Sequence, residues 1–153
     1  MIKVFVYGTL MKNGYNHQYY LKGQKYMGQA ILSGYALYNL GSYPGIIADE
    51  SEQVLGELYE IDLKILRRLD ILEGNGSLYI RQPVKVRIQD EKVDAEVYVW
   101  NGEVRQEDKI ELSAQPWMLH WDVLSDVTLG PSFCNTKETK TTQRVNRFIS
   151  RYQ

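Results

Sequence analysis

Hydrophobic and polar residues alternate along much of this chain with the period of two that is typical of β-strands. The segments that carry this pattern are residues 2–7, 26–38, 54–61, 79–89 and 93–100. Gly28 and Gly34 interrupt the second segment and predict a strand that is bulged or sharply bent. Turn residues at 41–45 and a charged tip at 49–52 flank a short apolar stretch, 46–48. A short polar tip between the last two segments predicts an antiparallel hairpin.

A helical period replaces the strand pattern between residues 62 and 72, where apolar side chains recur every three or four positions. Asp62 is a suitable N-cap for this helix, and Gly74 is a suitable C-terminal stop. A shorter helical stretch is expected between Asn16 and Gly23. Because strands come both before and after the main helix, the sequence predicts a mixed α+β domain whose sheet is closed or nearly closed.

The composition changes near Trp117. Residues 131–153 carry five basic side chains and one acidic one, Glu138. Val145, Phe148, Ile149 and Tyr152 recur at the spacing of an amphipathic helix. We expect this helix to pack on the domain and to present its basic face to water. Binding of a partner or of nucleic acid is the alternative role for the segment.

Composition and charge exclude several classes of protein. The chain has 153 residues, 44% hydrophobic and 24% charged, which suits one folded soluble domain. It contains no apolar run long enough to span a membrane and no recognisable signal peptide, so we expect a cytoplasmic protein. A net charge of −1 argues against binding to nucleic acid or to a membrane surface. Two histidines and one cysteine are too few for a usual zinc site.

The turn after the first strand, Tyr7-Gly8-Thr9-Leu10, is the first candidate for chemistry. Successive backbone N–H groups in such a turn form a nest that binds a carboxylate or an oxyanion. The alternative is a strand end that needs a flexible residue. The usual nucleotide, metal and serine-hydrolase motifs do not occur in the chain.

Glu73 is the second candidate, because it falls in the last turn of the predicted helix. The negative end of the helix dipole disfavours an ionised carboxylate, and apolar neighbours would add desolvation. Both effects raise the pKa of a glutamate towards the range that suits an acid/base near neutral pH. The alternative is a solvated side chain at a helix end.

Several short motifs, taken in order and spacing, resemble the gamma-glutamylcyclotransferase-like family. They are Tyr7-Gly8-Thr9-Leu10, Tyr43-Pro44-Gly45, Gly56-Glu57-Leu58-Tyr59, the helix end Leu69-Asp70-x-Leu72-Glu73-Gly74, and Tyr79-x-Arg81. The chain looks most like compact bacterial members, the group with the gamma-glutamylamine cyclotransferases and the butirosin-pathway cyclotransferase. The resemblance covers residues 1–115, which we take as the domain, and leaves residues 116–153 as a C-terminal helical extension packed on it.

The resemblance implies an α+β fold around a small mixed β-barrel with a few flanking helices. It also implies a cytoplasmic enzyme of the cyclotransferase or lyase class that needs no metal or other cofactor and acts on a small γ-glutamyl substrate. Glu73 matches the family's acid/base, and the residues from Tyr7 to Leu10 match the cradle for the glutamyl end. Tyr43, Gly45, Tyr79 and Arg81 match motif positions near the pocket, although Arg81 could equally pair with an acidic neighbour.

The reaction that the resemblance implies is cyclisation of a γ-glutamyl amide or γ-glutamyl amino acid, which releases 5-oxoproline and a free amine. The alternative is a non-catalytic member of the same fold that binds a small ligand in its pocket. Neither the leaving amine nor the oligomeric state follows from the sequence.

Overall fold

The computed structural model describes residues 1–118 of the chain. The amphipathic helix expected around Phe148 lies outside the described residues, as does nearly all of the expected extension.

The described part contains six strands, two α-helices and two short 3-10 turns. The strands are β1 (Ile2–Val6), β2 (Lys25–Asn39), β3 (Pro44–Ile61), β4 (Tyr79–Ile88), β5 (Glu91–Trp100) and β6 (Lys109–Ile110). The helices are α1 (His17–Tyr20) and α2 (Leu63–Glu73), and the 3-10 turns are Gln106–Asp108 and Leu112–Ala114. None of the helices in residues 1–118 has the length and apolar character that crossing a bilayer requires. The predicted α+β class is confirmed.

All six strands belong to one curled sheet in the order β3-β1-β5-β4-β2-β6, and β2 also pairs with β3. The pairings therefore return to the first strand, as they do in a barrel. Two of the seams are weak, because β1 meets β5 at the single pair Val4 and Glu96, and β2 meets β4 at Ile31 and Arg87. The other main pairings are long and antiparallel, including the predicted hairpin of β4 and β5.

The glycines of β2 bend the strand as predicted. Gly28 and Gly34 have φ values of 136° and 91°, and the register with β3 shifts at both places. The charged tip expected at residues 49–52 lies within β3, where it forms a bulge opposite Gly34. Asp49 accepts a hydrogen bond from the Ser51 N–H, and the Lys109 ammonium lies 2.9 Å from the Glu52 carboxylate. These contacts hold the charged residues in an ordered bulge instead of a free tip.

Alternation along β1 divides the core into two layers. Phe5 and Tyr7 pack inside the curled sheet, where Leu37 and Leu58 are fully buried. Val4 and Val6, which alternate with them on β1, face the other way and pack under α2. The helix buries Leu66 and Leu69 against this layer. Because α2 crosses this outer face, its C-terminal end comes to lie beside the end of β1.

Candidate active site

Local interactions at both ends of α2 fix the position of Glu73. The Asp62 carboxylate accepts a hydrogen bond of 2.9 Å from the Ile65 N–H and begins the helix. At the other end Gly74 adopts the left-handed conformation, with φ 60° and ψ 49°. The N–H groups of Gly74 and Asn75 donate to the carbonyls of Ile71 and Asp70, which is a Schellman motif. Glu73 is therefore the last residue of the helix, one position beyond the predicted end at residue 72 and in the last turn, as expected.

A small cavity of about 30 Å³ lies at this end of the sheet. Seven of the residues singled out in the sequence line it, namely Tyr7, Gly8, Thr9, Leu10, Tyr43, Glu73 and Tyr79. They come from the end of β1, the turn before β3, the end of α2 and the start of β4. The fold thus brings the turn after β1 and the helix-end glutamate, which are more than sixty positions apart in sequence, to one site.

The carboxyl group of Glu73 has an unusual electrostatic environment. Its side chain is half-buried, and burial raises its pKa from 4.5 to about 7. No ion pair or hydrogen bond to the carboxylate is found within residues 1–118 to oppose this rise. Glu73 therefore has comparable populations of its acid and base forms near neutral pH, which suits proton transfer.

Buried tyrosine hydroxyls surround this carboxyl group and are tied to the backbone. The Tyr7 hydroxyl donates a 2.6 Å hydrogen bond to the Tyr98 carbonyl, and the Tyr79 hydroxyl donates one of 2.6 Å to the Pro44 carbonyl. Burial and the charge of Glu73 both raise the pKa values of Tyr7 and Tyr79. These hydroxyls stay protonated and hold the walls of the cavity in place, since each already uses its proton in a hydrogen bond.

The turn after β1 offers backbone donors to the same cavity. Within the described part of the chain, the N–H groups of Gly8, Thr9 and Leu10 donate no hydrogen bond. Thr9 and Leu10 are nevertheless buried, and buried N–H groups are rarely left unpaired in folded proteins. Three such donors beside a cavity can bind an anionic group such as a carboxylate or an oxyanion.

Neighbouring residues hold this turn in shape. The Thr9 carbonyl accepts the Asn16 N–H, and the Thr9 hydroxyl accepts the Asn16 side-chain amide at 2.9 Å. The Lys12 N–H donates to the Glu57 carboxylate at 2.8 Å. A Cβ atom on Gly8 would lie 2.7 Å from Cδ of Pro44, so the turn can approach β3 only with glycine there.

Two of the candidate site residues from the sequence do not line the cavity. Gly45 packs against the Trp100 side chain, where a Cβ atom would come within 2.8 Å of the tryptophan Cβ. Arg81 pairs instead with two carboxylates, its Nε lying 2.9 Å from Asp70 and its Nη1 2.9 Å from Glu96. The ion pair considered as the alternative role for Arg81 is the one that the structure contains.

Four lining residues were not singled out in the sequence as parts of the site: Phe5, Val6, Pro44 and Tyr98. Pro44 belongs to the motif Tyr43-Pro44-Gly45, so the sequence did point to its neighbourhood. For Tyr98 the only indication in the sequence was an aromatic residue on a strand with regular alternation. Its place at the cavity depends on the register of β5, which pairs it with Arg81.

A second and larger concavity, of about 530 Å³, lies between β2, β3 and the tip of the β4–β5 hairpin. Its floor is apolar and includes Met11, Ala30 and Leu55, while Glu57 and Arg87 provide charge. The Glu57 carboxylate is already occupied by the Lys12 N–H and by the Tyr59 hydroxyl at 2.9 Å. We call this concavity the groove.

Within residues 1–118, no group of three or more histidine, cysteine, aspartate or glutamate side chains is arranged to hold a metal ion. The groups that the cavity itself brings together are a carboxyl group with a raised pKa and a cluster of N–H donors.

Several known proteins are similar to this chain in sequence or in structure. The Escherichia coli gamma-glutamylcyclotransferase family protein YtfP is 36% identical over 85 residues, which are 55% of this chain and 73% of that protein. The gamma-glutamylaminecyclotransferase of Bos taurus is 34% identical over 109 residues, 63% of each chain. The crystal structure of an AIG2-like protein of Mus musculus has a TM-score of 0.61 at 26% identity and covers 71% of this chain and 82% of that one.

A match to a whole protein family covers more of the chain than any of these three relatives. Residues 4–119 match the family described as Gamma-glutamyl cyclotransferase, AIG2-like, and so include the cavity and nearly all of the described fold. The names of the relatives support gamma-glutamylcyclotransferase activity in general. This chain therefore belongs to the AIG2-like gamma-glutamyl cyclotransferase family.

Proposed function

We propose that this protein cyclises a γ-glutamyl amide or γ-glutamyl amino acid and releases 5-oxoproline and a free amine. One observation carries the proposal: a glutamate with a pKa of about 7 shares a cavity with three backbone N–H groups that have no partner within residues 1–118. The first group can move a proton at neutral pH, and the second can hold an anion. Cyclisation of a glutamyl chain needs both.

The N–H groups of Gly8, Thr9 and Leu10 bind the carboxylate at the α-carbon of the glutamyl group. A cavity of about 30 Å³ takes one such group and not a whole glutamyl chain, whose remainder lies across the mouth. Pinning one end of a flexible chain brings its α-amine to its own γ-carbonyl. Well-oriented intramolecular attack of this kind can lower a barrier by about 7–11 kcal/mol.

Glu73 moves the proton. A new bond forms between the α-nitrogen and the γ-carbon, and the bond from the γ-carbon to the leaving nitrogen breaks. Glu73 takes the proton from the attacking amine and returns it to the leaving nitrogen. An α-amine has a pKa of about 8, so a glutamate with a pKa of about 7 matches it closely, whereas one at 4.5 does not.

The test is 5-oxoproline release, followed by mass spectrometry, from a panel of γ-glutamyl amines and γ-glutamyl amino acids. We expect the wild type to release 5-oxoproline from at least one member of the panel. Glu73→Gln keeps the size of the side chain and removes the base, so its rate should fall by at least about 100-fold.

Two results would count against the proposal. Release that is unchanged in Glu73→Gln would remove Glu73 from the mechanism. Calorimetric binding of panel members without any release would favour the non-catalytic, ligand-binding function.

A further inference from the structure

Arg81 joins α2 to the two strands beside it. It lies on β4, and its guanidinium reaches Asp70 on α2 through Nε and Glu96 on β5 through Nη1, both at 2.9 Å. All three side chains are about one quarter exposed, so the ion pairs are partly shielded from water. A guanidinium can serve two carboxylates in fixed directions because its donors form a rigid fork.

Asp70 also contacts β5 through its side chain and the end of α2 through its backbone. Its carboxylate also accepts a 2.7 Å hydrogen bond from the Tyr98 hydroxyl. Its backbone carbonyl accepts the N–H groups of Gly74 and Asn75, which close the helix. The Asn75 side chain in turn accepts the Arg81 N–H at 2.8 Å. Arg81 therefore holds the chain at Asp70 and again at Asn75.

Glu73 lies between these two anchored residues. It makes no ion pair or hydrogen bond through its carboxylate within residues 1–118, so its position depends on the backbone that carries it. We propose that Arg81 is a positioning residue, whose side chain acts through Asp70 to hold the Glu73 carboxyl group inside the cavity. The expected effect on turnover rests on the proposed function. The effect on the position of Glu73 does not, because it can be measured without a substrate.

The chain offers a matched control on the same two strands. Lys85 on β4 and Asp94 on β5 are cross-strand partners, with the Lys85 ammonium 2.7 Å from the Asp94 carboxylate. Both side chains are largely exposed, and neither contacts α2 through this ion pair. Lys85→Met therefore removes a cation and an ion pair from the hairpin without touching the helix end. Arg81→Met removes the same charge together with the side-chain contact to Asp70 on α2, while the backbone N–H bond to Asn75 is kept.

The first readout is the separation of kcat from KM in 5-oxoproline release. Arg81→Met should lose about 10- to 100-fold in kcat, which is the cost of a displaced catalytic group, with KM changed less than about threefold. Arg81→Lys, which keeps a charge but cannot form the fork, should recover part of that loss. Lys85→Met should stay within about twofold of the wild type.

The second readout is the pKa of Glu73, from the carboxyl carbon signal in NMR spectra of protein labelled at glutamate, with Glu73→Gln identifying the resonance. If Arg81 holds the carboxyl group in its buried place, Arg81→Met exposes it, and the pKa falls from about 7 towards 4.5. A loss of global stability alone would not move this pKa in the folded protein.

The outcomes separate this inference from the proposed function. A folded Arg81→Met protein whose Glu73 pKa and kcat both match those of the Lys85→Met protein overturns the inference. If the wild type releases no 5-oxoproline, the proposed function fails, and the pKa comparison alone decides the role of Arg81. If Arg81→Met does not fold, Arg81→Lys is measured instead, and an unchanged Glu73 pKa and kcat there overturn the inference.

Discussion

The cavity and the groove each contain a glutamate, but the two glutamates are held in different ways. In the groove, of about 530 Å³, the Glu57 carboxylate accepts hydrogen bonds from the Lys12 N–H and the Tyr59 hydroxyl. In the cavity, of about 30 Å³, burial raises the pKa of Glu73 to about 7, and backbone donors nearby are unpaired within the described residues. The larger space therefore contains the glutamate that is already used in structure.

Within residues 1–118, unsatisfied groups point to the cavity as the proposed reactive site, whereas volume would favour the groove. Hydrogen bonds from Lys12 and Tyr59 give Glu57 a structural task, because the bond from Lys12 ties the segment after β1 to β3 and the bond from Tyr59 fixes the carboxylate on that strand. A buried carboxyl group without partners is costly to ionise, and folds keep such groups rarely. At Glu73 this free-energy cost has a purpose if proton transfer depends on the raised pKa of the carboxyl group.

Neutralising the two glutamates in turn should give the largest difference. Glu73→Gln should lower 5-oxoproline release by at least about 100-fold, because it removes the proposed base. Glu57→Gln keeps a side-chain oxygen that can accept from Lys12 and Tyr59, so kcat should stay within about threefold. Initial rates at saturating substrate make the comparison, and similar losses in the two variants would erase the distinction between cavity and groove.

Filling the space beside Gly8 should have the next largest effect. The added Cβ atom would lie 2.7 Å from Pro44 Cδ, and Pro44 is held by the Tyr79 hydroxyl, so the turn must move. We expect kcat/KM to fall by about 10-fold or more in Gly8→Ala, because the N–H groups lose their alignment. Ser42→Ala, in the exposed turn before Pro44, is the control and should be near wild type. A Gly8→Ala protein as active as the control would mean that the turn does not bind substrate.

The smallest expected effect is on stability. Since the folded-state pKa of Glu73 is above its ordinary value, the folded protein binds that proton more tightly than the unfolded chain does. The wild type therefore loses stability as the pH rises from 4.5 to 7, while Glu73→Gln does not. We expect the variant to gain roughly 1–3 kcal/mol over the wild type between pH 5 and pH 8, a figure reduced for partial solvent access. Urea unfolding at the two pH values measures it, and a pH-independent difference would contradict the buried carboxyl group.

The parts of the site that are fixed by neighbouring residues could be predicted from the sequence. Asp62 and Gly74 set the two ends of α2 and thereby place Glu73 at its last position. The same holds for the bends of β2, where Gly28 and Gly34 are left-handed or nearly so. The β4–β5 hairpin is local too, because two adjacent alternating segments pair with each other.

The parts that depend on distant pairing could not be predicted. Arg81 has two acidic partners, 11 and 15 positions away, and the choice between them and the pocket depends on how α2 crosses β4 and β5. The course of β3 through residues 49–52 depends on Lys109, which belongs to β6, far away in the sequence. The resemblance to a family brought the cavity residues together, whereas alternation alone did not.

The central claim is that the Glu73 carboxyl group is buried in the cavity and titrates near neutral pH. Its most direct test is an NMR titration of the glutamate carboxyl carbons in the wild-type protein without substrate, with the Glu73 signal identified by its absence in Glu73→Gln. We expect a midpoint at about pH 7 for that signal. A midpoint near 4.5 would show a solvated side chain and would contradict a role for Glu73 as acid/base near neutral pH.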